Sequence, residues 1–296
     1  MPQRTTTSYS FRLRAILCTA LLSLSALPVA ALGADVAVSR HRVLIEEGAV
    51  KIDVIVEGRG PTLVLLPSSQ RDSEDFDELA GLLAQRGFTV LRPQPRGMMG
   101  SKGPMENLSL SVLARDVATT VQRLGGGRAV LIGHAFGHFV ARVADLETPA
   151  VVRGIVVAGG AARTFPAGMA EALVIASDPT KPREDRLKGL RLAFFAPGHD
   201  ATSWLEGWHP EVRDAYRKAG AVPDKNLWWP VGNAPILDLQ GGTDPWRPAS
   251  SRNELKDVLG SKVTVRVIAD ASHALIPEQP QAVANAIAEW VGTLPR

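Results

Sequence analysis

Cysteine occurs once in the 296 residues, as Cys18. That position falls inside an apolar leader, so the rest of the chain has no thiol. It can form neither a disulfide nor a thiolate ligand set. A surplus of one charge is missing as well. Arg4, Arg12 and Arg14 lie in the leader, which contains no acid, and without residues 1–33 thirty Lys and Arg face thirty Asp and Glu. A neutral remainder offers no electrostatic footprint for nucleic acid. Internal repeats and low-complexity tracts are absent, and so is a Walker-type phosphate loop. Gly125-Gly126-Gly127 reads as the end of a helix.

The leader has the layout of a secretory signal peptide over residues 1–33. A basic start precedes a run from Ala15 to Ala31 that is almost wholly apolar, and small residues follow at Ala31, Gly33 and Ala34. Cleavage is expected near Gly33 or Ala34. The alternative is an uncleaved anchor, but the run is short for a membrane span and Pro28 closes it. Ile16-Leu17 before Cys18 lacks the small residue of a lipoprotein site, so Cys18 reads as an inert apolar position. The expectation is an exported protein, periplasmic or secreted, with no stable membrane anchor after cleavage. Roughly 260 residues remain, enough for one domain with its own core.

Beyond the leader, strand and helix signals alternate. Arg42–Glu46 and Val50–Val56 flank a turn at Gly48 and read as a hairpin. Thr62–Leu66, Thr89–Arg92, Arg128–Ile132, Gly154–Ala158, Pro235–Leu239 and Val263–Ile268 are short apolar runs of strand length. Between them lie helical patterns over Asp75–Gln85, Leu108–Leu124, Phe139–Ala144 and, last, Gln281–Leu294. Apolar strands alternating with helices predict an α/β fold, a mostly parallel doubly wound sheet with an antiparallel edge from the hairpin. Residues 160–230 break the rhythm with short helical patches and prolines. They are expected to form a helical lid inserted into a core of residues 40–159 and 231–295.

One serine is missing where it matters most. Gly133-His134-Ala135-Phe136-Gly137 follows an apolar strand and opens a helix, the context of a nucleophile elbow. The central position, which should present an attacking oxygen, is Ala135. Two partners of such a nucleophile stand in the expected order. Asp244 follows the run ending at Leu239, and His273 follows the run ending at Ile268. Asp270, three residues before His273, is a weaker acid candidate that should face solvent. Oxyanion donors would be the backbone N–H of Phe136 and one from the loop Pro67-Ser68-Ser69. Neither donor needs a side chain, so Ala135 leaves both intact.

On these marks residues 40–295 resemble the α/β-hydrolase superfamily with an inserted cap. Arg96-Gly97-Met98-Met99-Gly100-Ser101 is similar to the Arg-Gly-x-Gly-x-Ser turn of many members, with its second glycine displaced by one position. Pro67-Ser68 stands where many carry His-Gly. The resemblance implies the α/β-hydrolase fold. It assigns Ala135 to the nucleophile position, Asp244 to the acid, His273 to the base, and Ser69 and Phe136 to the oxyanion donors. It implies ester, amide, lactone, epoxide or related substrates without choosing among them.

Two functions stay open. The first is a hydrolase of a small uncharged ester-like or lactone-like substrate. Either Ser68 or Ser69 would replace the elbow serine, or the Asp244–His273 pair would activate water or a substrate proton. The second is a catalytically dead protein that keeps a small-molecule pocket. Trp204, Trp208, Trp228 and Trp229 in the lid, with Trp246 beyond it, are the candidate substrate-binding aromatics. No cofactor is indicated. His134 and His138 have the spacing of a helical zinc pair, but the acid expected after the first is Ala135 and His134 lies in the turn, so no metal is expected.

Overall fold

The computed structural model describes residues 1–8, 10 and 39–295. The chain divides into two compact units, Met1–Ala37 and Val38–Arg296. Residues 1–8 and 10 hold no helix or strand, and the rest of the expected signal peptide, Cys18 included, lies outside the described residues.

In the second unit, a hairpin of β1 (Arg40–Glu47) and β2 (Val50–Gly58) opens the fold. Then come β3 (Thr62–Leu66), α1 (Asp77–Gln85), β4 (Thr89–Pro93), α2 (Leu110–Leu124), β5 (Ala129–His134), α3 (Phe136–Glu147) and β6 (Val152–Ala158). The insertion follows as α4 (Met169–Ser177), α5 (Arg183–Ala193), α6 (Arg213–Ala219) and α7 (Lys225–Trp228). The sheet resumes with β7 (Ile236–Gly241), α8 (Glu254–Leu259) and β8 (Val263–Ile268), and the chain closes on α9 (Leu275–Glu278) and α10 (Pro280–Gly292).

The eight strands form one sheet in the order β1-β2-β4-β3-β5-β6-β7-β8. β1 pairs with β2, and β2 with β4, antiparallel. Every pairing from β4 through β3 to β8 is parallel. Alternation along the strands divides the core. Leu63, Leu65, Val130 and Ile132 face α1 and α10, while Val64, Leu66 and Leu131 face α2 and α3. Both faces are thus covered, which explains why the central strands read as unbroken apolar runs. A third cluster joins Met169, Leu187, Leu190, Phe194 and Trp204 of the insertion to Trp246 and Ala274 of the sheet loops.

Helix ends follow local chemistry. The Ser109 hydroxyl accepts from the Val112 N–H and starts α2, two residues later than the apolar pattern suggests. A 3-10 turn over Ser73–Phe76 precedes α1, so the regular helix begins at Asp77 rather than Asp75. α3 begins directly after the elbow, at Phe136 rather than Phe139. Because β3, β5, β6, β7 and β8 run parallel, their following loops gather at one sheet edge, where open α/β sheets hold ligands.

Candidate active site

Ala135 sits at φ +45° and ψ −114° between β5 and α3. A non-glycine residue there is strained by about 1–3 kcal/mol. The turn is tight because both flanking glycines are closely approached. A Cβ on Gly133 would lie 2.3 Å from the His138 nitrogen, and one on Gly137 would lie 2.1 Å from the Leu66 carbonyl oxygen. The backbone between β5 and α3 is therefore a tight turn with the Ala135 methyl at its centre.

His273 and Asp244 meet as expected. The His273 Nδ1 lies 3.0 Å from Asp244 Oδ2, with both side chains buried. The other Asp244 oxygen accepts from the Trp246 N–H at 2.8 Å, which fixes the carboxylate plane. The carboxylate oxygen accepts in this contact, so Nδ1 is the donor. The remaining ring nitrogen, Nε2, has no partner among the described residues and is not sealed off, so it opens into the cavity that His273 lines. Asp270 is exposed and pairs with His199 at 3.4 Å, away from this pair.

Three further contacts hold the histidine loop. His134 Nε2 donates to the His273 carbonyl at 2.8 Å. Burial drives the His134 pKa down to about 3, aided by nearby His273, so the ring is neutral and its single proton is committed to that bond. The Glu278 carboxylate accepts from the Ser272 N–H at 2.6 Å and from the Ala196 N–H at 2.5 Å, joining the loop to the insertion. The Trp246 ring stacks on His273 with centroids 5.2 Å apart. Sequence reasoning missed Glu278 and this use of His134. Neither follows a motif, because each works through backbone groups distant in the chain.

A cavity of about 600 Å³ opens above the elbow. Ala135, Phe136, Ser68, Ser69 and His273 line one part of it. The backbone N–H groups of Phe136 and Ser69 enter no hydrogen bond among the described residues, and Phe136 is the first residue of α3. The helix N-terminus adds partial positive charge at the first of these donors. Neither the Ser68 nor the Ser69 hydroxyl is hydrogen-bonded to His273. His138, expected to fail as a metal ligand, is buried on α3, and burial keeps its pKa well below the ordinary histidine value. Among the described residues no group of three or more His, Cys, Asp or Glu could hold a metal ion.

The tryptophans divide differently from the expectation. Only Trp246 lines the cavity. Trp204 is buried against Phe194 and Phe195, and the Arg71 guanidinium lies 4.8 Å from both the Trp204 and the Trp208 rings. Trp228 is fully buried and packs on Phe139 at 5.0 Å, while Trp229 lies beneath the Arg163 guanidinium. Large aromatics serve an insertion's own core as readily as a ligand, and sequence gives no means to separate the two.

Residues 63–286 match the Alpha/beta hydrolase family, so the chain belongs to it. Among curated relatives, Bifunctional epoxide hydrolase 2 of Sus scrofa is 33% identical over 121 residues, which are 40% of this chain and 22% of that protein. Fluoroacetate dehalogenase of a Burkholderia species is 31% identical over 122 residues, 40% of each chain. The match thus spans well under half the length of these relatives. Among solved structures, an esterase from Exiguobacterium antarcticum superposes with a TM-score of 0.72 at 19% identity, covering 86% of this chain and all of the other. That likeness shows the fold.

Proposed function

We propose that the protein is a hydrolase in which the Asp244–His273 pair activates a water molecule directly. The carrying observation is the pairing of an oriented imidazole, open to the cavity through Nε2, with two unused N–H donors around a methyl group. Ala135 leaves room beside that nitrogen for a water oxygen where a serine oxygen would otherwise sit. His273 Nε2 takes a proton from the water as it attacks the carbonyl carbon of an ester or lactone. The oxyanion that forms is met by the Phe136 and Ser69 N–H groups. His273, now an imidazolium held by Asp244, returns the proton to the departing alkoxide. Products are a carboxylic acid and an alcohol, with no covalent intermediate. A cavity of about 600 Å³ suits a small molecule rather than a polymer. An uncharged reacting group fits the apolar walls near the elbow. The signal-peptide layout of the leader supports action outside the cytoplasm, and the balanced charge beyond it supports a small-molecule rather than a nucleic-acid partner.

The test is hydrolysis of short-chain esters and lactones by the native chain, compared with His273→Ala, Ser68→Ala and Ser69→Ala. Turnover should fall by about a thousandfold or more in His273→Ala. It should persist in the serine variants, and mass spectrometry of quenched reactions should show no acyl adduct. Loss in Ser68→Ala, with an acyl adduct on Ser68 of the native chain, would transfer the attack to that side chain. The absent nucleophile favours a second reading, a carrier that retains the pocket. Saturable ligand binding with no turnover by the native chain would select it.

A further inference from the structure

Histidines apart, every titratable cavity-lining side chain that can be charged at neutral pH is a cation: Arg163, Arg213, Arg217 and Lys225. No aspartate or glutamate lines the same space. Composition does not account for this, since the charges balance beyond the leader. Partnering does not neutralise them either. Arg213 is held by two neutral groups, Gln70 Oε1 at 3.1 Å and Ser177 Oγ at 3.2 Å. The Arg163 side chain donates to Asn226 Oδ1 at 2.9 Å. Among the four only Arg217 is in an ion pair, with an exposed Asp214 at 3.6 Å; Glu254, outside the lining, accepts from the Arg163 backbone N–H at 2.8 Å and acts on Lys225 only at longer range.

Lys225 is the most telling of the four. Its ammonium lies 5.7 Å from the Phe139 ring centroid and 5.1 Å from that of Phe165. It donates to the Arg163 carbonyl at 2.8 Å, and no carboxylate among the described residues comes within salt-bridge distance. An ammonium has three N–H donors. One is used, and two remain free to donate to an anionic ligand. Phe139 lies one helical turn, about 6 Å, beyond Ala135 on α3, so the ammonium sits within a small molecule's length of the elbow.

We infer that the ligand carries a carboxylate, received by Lys225, at the far end from the group held above Ala135. This rests on the hydrolase reading only for which bond reacts. It departs from the expectation of an uncharged substrate, since positions 163, 213, 217 and 225 are far apart in the sequence and show no shared motif there. Burial pushes the Lys225 pKa down to about 8, with Arg163 and Arg247 adding to the effect and Glu254 opposing it. The group is therefore charged at neutral pH, and recognition should fade above about pH 8.

The experiment uses two ester probes matched in length, monomethyl glutarate and methyl pentanoate. At pH 7 the native chain should favour the half-ester by about tenfold to a hundredfold in kcat/KM, the range for a hydrogen-bonded charge. In Lys225→Met that ratio should collapse toward one, and in Lys225→Arg it should largely persist. Lys225→Gln replaces the Met variant if that one does not fold. Binding of glutaramate and pentanamide, followed by Trp246 fluorescence, reads recognition without turnover. Lys225-dependent preference for glutaramate with no ester hydrolysis would retain the carboxylate site and reject the hydrolase. Equal hydrolysis and equal binding of the paired probes would reject the carboxylate site and retain the hydrolase. Failure of glutaramate to bind, or a preference indifferent to Lys225, overturns the inference.

Discussion

Ala135→Ser adds one oxygen to a site built around its place. The strained backbone, φ +45° and ψ −114°, is already present, so serine imposes no new conformational cost of that kind. The Asp244–His273 contact is formed at 3.0 Å and the donors at Phe136 and Ser69 are unused. Removing a triad nucleophile costs on the order of a millionfold in turnover in a well-studied protease, and about a thousandfold to ten-thousandfold rate enhancement survives without it. Restoring the nucleophile should therefore raise turnover of an activated ester by about a hundredfold or more over the native chain. A stopped-flow burst should precede the steady state, with one equivalent of product per active site, and quenched samples should carry an acyl group on residue 135. No rise and no burst, in a folded variant, would mean that residue 135 does not stand beside Nε2 of His273. The water mechanism would then fail with it, because both use the same space.

Asp244→Asn should leave the fold intact and lower kcat by about ten-thousandfold, since asparagine can hold the imidazole in the wrong tautomer; steady-state kinetics on any accepted ester would decide. Gly137→Ala should lower the urea midpoint by about 1–3 kcal/mol of stability or more, because the new methyl meets the Leu66 carbonyl and α3 must lift from β3. A midpoint unchanged within error would refute that packing. The His209 imidazole bridges Asp72 at 2.9 Å and Glu211 at 3.1 Å. The hydrogen bond that His209 donates to Asp72 raises the His209 pKa, so this contribution is full below the ordinary histidine value, about 6.5, and is lost as pH rises through the folded one. Burial is the largest single influence on Asp72 and works to raise its pKa, but the His209 bond, the Glu74 N–H and the His209 and Arg71 charges together outweigh it and the net shift is down, so that carboxylate fails only in acid. Hydrogen-exchange protection over residues 199–212, corrected for the intrinsic rise of amide exchange with pH, should accordingly fall as pH rises above about 6.5. Asp72→Asn should flatten that dependence, and a flat profile in the native chain would remove the ion pair from the account.

The sheet was legible because strands such as β3 and β5 are buried on both faces and read as almost wholly apolar runs of strand length. Asp244 and His273 were legible because chain order after particular strands constrains them. Several features were not. Whether Trp204 or Trp228 meets a ligand depends on which way an insertion closes its own core, and both turn inward. Arg142, fully buried on α3, donates to the Trp229 and Val231 carbonyls at 2.7 Å and 2.6 Å. A charge there reads as a solvated helix position until its partners are known. The cationic lining likewise exists only once four separated positions converge.

The contorted bend at residue 135 has a meaning of its own now that no oxygen rides on it. Those two torsions set the tilt of the peptide plane that follows, and with it the direction in which the Phe136 amide hydrogen points. On the proposed mechanism the tension held in that turn serves an amide, and a chain that had abandoned anion stabilisation would have no reason to keep it. Selection should show itself there as retained discomfort, a turn that stays cramped although a glycine would ease it.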